Sequence, residues 1–197
     1  ELSLMIDGSG SMPGVQLAGG ATAREAALQS AMILWCACQE PDVKIDAYIV
    51  IWGGPEPVVI ATPISNPREV GERLESLRKG LSTGTDLAPS FVSTINSMAN
   101  YRAKPGTVSG SSHMLVFSDG DIFDADNAAR ALEVISRSGK NISIDVAVFN
   151  PAAGEGTTAI EKVFQAVIDK TGDKIVGIVR GQDPSQIPLD MSRHMLR

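Results

Sequence analysis

Apolar residues along this chain follow two rhythms. Continuous short runs, LSLMI at Leu2–Ile6, HMLVF at His113–Phe117 and ISIDVAVF at Ile142–Phe149, read as strands buried on both faces. VKIDAYIVIW, Val43–Trp52, alternates and then turns continuous, and is rich in β-branched residues. After GGPEP comes VVIAT, Val58–Thr62; so short a turn allows an antiparallel hairpin but no crossover helix. Lys174–Val179 reads as a last strand. Elsewhere the spacing is helical. REAALQSAMILWCACQ, Arg24–Gln39, combines strong helix formers with apolar positions and is ended by Pro41. Asn66–Arg78, Asp86–Tyr101 and Thr157–Lys170 follow the same rule, and Asp124 is expected to cap a helix running to about Ser138, with Asp126 in its first turn. The tail holds Pro184 and Pro188 and then a short helical stretch, Leu189–Arg197. With no internal repeat, low-complexity segment or linker, residues 1–197 are expected to form one domain, with 181–197 as a C-terminal tail packed against it.

Strands alternating with helices imply an α/β architecture: a Rossmann-like, doubly wound sheet of about six strands with helices on both faces. The hairpin places one antiparallel strand at an edge of an otherwise parallel sheet. In strand order 3-2-1-4-5-6, ligands bind beyond the carboxyl ends of the strands, where the order reverses between the first and fourth. Asp7 ends the first strand and Asp119 the fourth, so two acidic loops distant in sequence should meet at one crevice.

Composition then narrows the partners. A net charge of −6 disfavours nucleic acid, whose phosphates need clustered Lys and Arg. No apolar run approaches the roughly eighteen residues of a membrane span, and no secretory leader is visible, so a cytoplasmic protein is expected. Cys36 and Cys38, two apart on a helix, point in different directions and read as thiols.

The candidate chemistry lies in DGSGSMPG, Asp7–Gly14, an acid and two hydroxyls at alternate positions past a buried strand. A dinucleotide loop would need G-x-G-x-x-G running into a helix, but position 13 is Pro13, and IVIWGG lacks the acid that holds a ribose. A nucleophilic serine would need G-x-S-x-G and a nearby base; His113 starts a strand and His194 lies in the tail. A phosphoryl-accepting Asp7 survives that objection, although the residue two positions on, commonly an acid, is Ser9. A hard divalent cation uses everything present, since hydroxyls and carboxylates without sulfur or imidazole select magnesium-like ions. Ser9, Ser11 and Thr85 taken singly could be turn or capping residues.

DGSGSM resembles the D-x-S-x-S opening of the metal-ion-dependent adhesion site in von Willebrand factor A (VWA) domains; STGTDL supplies that family's threonine at Thr85, and FSDGD its second aspartate at Asp119. The three segments match in order and rough spacing, as does the antiparallel third strand. The resemblance implies that Ser9 and Ser11 coordinate the ion through their hydroxyls, while Asp7 and Asp119 hold waters on it, Asp119 being able to switch to direct contact. Thr85 would bind directly in a high-affinity state and through water at rest. Magnesium is the expected ion, with manganese or calcium as alternatives. A cation held by mostly neutral ligands stays electrophilic and seeks a Glu or Asp from a protein partner, which makes the chain an interaction module and not an enzyme. GTDLAPSF and VFSDGDIFD look like intracellular prokaryotic members that work beside MoxR-type AAA+ ATPases or in chelatase assemblies. A metal-dependent phosphohydrolase using Asp7, or an extracellular adhesion domain, are the competing readings. Asp86 is expected to be a helix N-terminal acid, Asp121 an exposed loop acid, and Trp35 and Trp52 core residues.

Overall fold

The computed structural model describes residues 1–17, 19–78, 84–98, 110–137, 141–150, 158–172 and 176–180. The expected tail helix, Leu189–Arg197, lies outside them. The element order is β1 (Leu2–Asp7), α1 (Ala23–Ala37), β2 (Ala47–Trp52), β3 (Val58–Ala61), α2 (Pro67–Arg78), α3 (Ala88–Met98), β4 (Ser112–Ser118), α4 (Ala125–Arg137), β5 (Ile142–Val148), α5 (Ala159–Thr171) and β6 (Val176–Arg180). The strands form one six-stranded sheet in the order β3-β2-β1-β4-β5-β6. Every pairing is parallel except β2 with β3, which is antiparallel and places β3 at an edge.

Helices cover both faces. Every residue of β1 and β2 is buried, as their continuous apolar runs require, whereas β3 begins exposed at Val58. On one face Leu4, Ile6, Ile49, Leu115 and Phe117 meet α1 and α2. The inner side of α1 is alanine (Ala23, Ala26, Ala27, Ala31), which lets the helix lie close to the sheet until Trp35 fills the wider end. The Trp35 indole N–H is satisfied by the Ala47 carbonyl at 3.2 Å. On the other face Met5, Met114, Val116, Ile144 and Val146 meet Phe91 of α3, Leu132 of α4 and Phe164 of α5. Trp35 and Trp52 are both fully buried, as expected. Cys36 and Cys38 are free thiols.

Several boundaries differ from the sequence reading. Val43–Asp46 is not strand; Asp46 is buried, and its carbonyl accepts from Leu2 N–H at 2.8 Å just ahead of β2. The helix expected from Asp86 begins at Ala88, and Asp86 pairs through its backbone with Gly53 at the end of β2. His113 does start β4, where Nδ1 meets the Ser143 hydroxyl and Nε2 lies 3.2 Å from Asp145. That trio lies toward the amino ends of β4 and β5, at the opposite end of the strands from Asp7, and is too far along them to serve as a base there. Among the described residues no helix is long and apolar enough to cross a membrane.

Candidate metal centre

Three loops converge at the carboxyl ends of β1 and β4. The first is held by its own side chains. Asp7 is buried, and its Oδ1 accepts from Ser9 N–H at 2.8 Å, folding the loop back over the strand end. The hydroxyls of Ser9 and Ser11 lie 2.9 Å apart, Ser9 buried beneath and Ser11 exposed above. Alternate spacing therefore places both hydroxyls on one side of the loop.

The second loop leaves β4 beside it. Ser118 Oγ donates to Asp7 Oδ2 at 2.8 Å and accepts from Gly120 N–H at 3.1 Å, stapling the two strand ends together. Asp119 is buried next door, its Oδ1 receiving Asp121 N–H at 3.4 Å. Gly120 has φ +112, and its carbonyl accepts from Ile160 N–H at 3.0 Å, so this turn abuts the start of α5.

Thr85 arrives on the third loop, tied to both neighbours. Its carbonyl accepts from Phe123 N–H at 3.2 Å, just past Asp119. Next to it, a Cβ on Gly84 would lie 2.9 Å from the Gly53 carbonyl oxygen, so only glycine lets this loop approach the end of β2 so closely. Gly8 N–H donates to Trp52 O at 2.9 Å, which brings β1's loop to the same point.

All five residues singled out from the sequence thus lie at one end of the sheet, and their chemistry fits a hard cation. Thr85 Oγ1 and Asp119 Oδ2 are buried, and among the described residues neither has a hydrogen-bond partner. Each such orphan costs about 1–3 kcal/mol unless something outside the protein completes it. Burial pushes the Asp7 carboxyl up to about 7 against the hydrogen bonds from Ser9, with nearby Asp119 adding to the rise. Burial raises Asp119 too, although the Ser11 hydroxyl and the Asp121 N–H pull it down. Two buried neighbouring carboxyls and a free hydroxyl are costly alone and favourable around a positive charge. Among the described residues no group of three or more His, Cys, Asp or Glu could hold a metal ion, so an ion here would lean on the hydroxyls.

No family model matches this sequence, and no curated protein matches it either. Solved structures do. The chain superposes on an aerotolerance-related membrane protein from Bacteroides fragilis NCTC 9343 with a TM-score of 0.63 and 19% identity, over 99% of this chain and 98% of that one. It matches the VWA domain of SpRpn10 at a TM-score of 0.60 and 14% identity, over 96% and 93% of the two chains. The fold is that of a von Willebrand factor A domain. The manganese-loaded TRAP protein of Plasmodium vivax is a further neighbour, at a TM-score of 0.59 and 13% identity over 98% of this chain and 72% of that one.

Within this VWA fold the end of the sheet is braced by residues that the sequence pattern did not single out. Arg24 is buried in the first turn of α1, where the helix dipole disfavours a cation, and that misplacement was the available signal. Its Nη2 donates to the Ser9 carbonyl at 2.6 Å, fixing the loop from below. Burial lowers its pKa, with Asp7 acting in the opposite sense. Asn150 Nδ2 donates to the Asp119 carbonyl at 3.1 Å from the end of β5.

Asp124 has a different role from the one its position suggested. Its carboxylate reaches from the start of α4 to the start of α3, accepting from Leu87 N–H and Ala88 N–H at 2.8 Å each. It thereby supplies the N-terminal partner that Asp86, which is exposed, does not. Replacing Asp124 with alanine is expected to cost about 1–3 kcal/mol in denaturant unfolding, because two N–H groups lose their acceptor. Asp124→Asn, which keeps one oxygen, should cost less.

Proposed function

We propose that these loops hold one divalent cation, magnesium in the first instance with manganese or calcium as alternatives, and that the metal face captures a carboxylate from a protein partner. The observation carrying this reading is the pair of buried oxygens Thr85 Oγ1 and Asp119 Oδ2, neither hydrogen-bonded among the described residues, beside the paired hydroxyls of Ser9 and Ser11. Ser9, Ser11 and Thr85 would offer neutral oxygens and Asp119 a charged one. Asp7, with both oxygens engaged by Ser9 and Ser118, is placed to orient the loop and balance charge from behind. The metal's chemistry would be electrostatic: a hard cation with few anionic ligands attracts an acidic side chain. The manganese in the TRAP neighbour supports the ion type by analogy of fold.

The same burial weakens the phosphohydrolase reading. Asp7 is 1% exposed, and a nucleophile must reach its substrate. His113 is at the far end of the strands from Asp7, and His194 lies outside the described residues. The partner class that the sequence resemblance suggests is a MoxR-type AAA+ ATPase or a chelatase assembly, with the domain as a cytoplasmic adaptor; extracellular adhesion is the competing setting. A fluorescent peptide with a single glutamate tests the central step. Binding should appear with manganese, vanish with chelator, and fall about tenfold in Thr85→Val, a loss of roughly 1.4 kcal/mol. Binding that ignores manganese would refute it, and phosphoester turnover abolished in Asp7→Asn would favour the enzyme.

A further inference from the structure

The surface beside this site has a shape and charge that narrow the partner. A groove of about 670 Å³ runs between α3 and α4, lined by Asp86, Ala88 and Val92 on one side and Asn127 and Ala131 on the other. Its head is at the metal end, because Asp86 follows Thr85 directly and the Asp124 carboxylate bridges the two helices there. Among the described residues no lysine or arginine lines it. Large apolar side chains are exposed along this side: Phe123 at the head by 83%, Val92 in the wall by 55%, and Val134, nearly one turn beyond Ala131, by 68%. These are three of the six large hydrophobics exposed among the described residues, which makes the patch directional and not scattered. Among the described residues the exposed charges around the head are acidic, Asp86 and Asp121.

Resting on the metal-dependent capture proposed above, we infer that the partner is a protein segment with a glutamate or aspartate at the metal, a lysine or arginine beside it, and an apolar side chain laid into the α3–α4 groove. Charge complementarity sets the first two requirements. The captured carboxylate must enter a rim that is itself negative, so the cation alone attracts it while Asp86 and Asp121 repel it. A neighbouring basic residue turns that repulsion into attraction. The groove sets the third. From Asp124 to Ala131 is seven residues of helix, about 10 Å at 1.5 Å per residue. An extended chain covers that in about three residues. The apolar anchor therefore belongs about three positions from the acid, where Val92 and Ala131 can cover it.

The test is a peptide library with one fixed glutamate and randomised flanks, retained on the protein in manganese and released by chelator. Retained peptides should be enriched in Lys or Arg next to the glutamate and in Leu, Ile, Phe or Met about three positions away. Asp86→Asn with Asp121→Asn should erase the basic preference. Val92→Ser should weaken selected peptides about five- to tenfold, while manganese affinity measured separately stays unchanged. Retention without flanking preference, or preferences that survive these substitutions, would overturn the inference. If the protein binds manganese but retains no peptide, the capture reading itself fails and this one with it. A concentration-dependent dimer dispersed by Val92→Ser would assign the groove to a second copy of this chain and overturn the peptide assignment.

Discussion

Asp7→Asn should make the metal-free protein more stable at neutral and alkaline pH while abolishing metal binding. The Asp7 carboxyl is raised from 3.8 to about 7, chiefly by burial. The folded state therefore holds the proton more tightly than the unfolded chain does. Stability from this group is fully present below about pH 4 and is lost as pH rises through about 7, where the folded protein must carry the buried anion. For the wild type without metal, linkage puts that loss at about 2–3 kcal/mol between about pH 5 and about pH 8. Asparagine carries no charge and can still accept from Ser9 N–H, so the variant's stability should be flat over the same window and about 1–3 kcal/mol higher at its upper end. Asp119, raised in the same direction, adds to the wild-type slope. Saturating manganese should reverse the order, because cation and proton compete for the same carboxyls. Denaturant unfolding at the two pH values, with and without manganese, reads all of this. A wild type equally stable at both without metal would show that Asp7 is not under this burden.

Gly120→Ala is expected to cost about 3–5 kcal/mol, combining three named effects. The backbone at Gly120 has φ +112, a region that L side chains rarely adopt. An added Cβ would lie 2.5 Å from Thr158 Cγ2 and 2.6 Å from its Cβ. Thr158 cannot simply turn away, because it is the N-cap of α5. Its Oγ1 accepts from Glu161 N–H at 3.4 Å, while the Glu161 carboxylate receives Thr158 N–H at 2.8 Å. Pushing Thr158 aside thus opens the capping box and disturbs the turn that carries Asp119. Glycine at an N-cap costs only a few tenths of a kcal/mol, so Thr158→Gly removes the obstruction at little expense. The double variant should recover about 1–3 kcal/mol of the single variant's loss, leaving the φ strain, and thermal unfolding of the four proteins in the cycle checks it. Simple additivity would mean that the close approach is not what constrains Gly120.

Much of this was legible in the chain itself, for a physical reason. Strands buried on both faces must be continuously apolar, and Leu2–Ile6, His113–Phe117 and Ile142–Phe149 are close to that. The GGPEP turn could only make a hairpin, and β3 is indeed the antiparallel edge. Once the order was set, Asp7 and Asp119 had to share one end of the sheet, and Ser118 joins them physically. Contacts between side chains far apart in sequence left no such trace. Nothing local announces that Asp124 serves α3 rather than its own helix, nor that Arg24 turns toward a carbonyl fifteen residues earlier. Asp86 misled because an acid opening a helical pattern suits the dipole of a first turn, and here it lies two residues ahead of α3, bridged to Gly53. The capping boxes that start α1 and α5, Thr22 with Glu25 and Thr158 with Glu161, went unused when the helix starts were read as Arg24 and Thr157.

The most direct measurement is a calorimetric titration of manganese and magnesium into metal-free protein, with Ser9→Ala/Ser11→Ala in parallel. A single metal site predicts saturable binding of one ion per chain in the wild type, stronger at higher pH as Asp7 and Asp119 ionise, and no binding in the variant while its fold persists. Absence of binding at millimolar ion, with or without an added glutamate peptide, or equal binding by the variant, would contradict it.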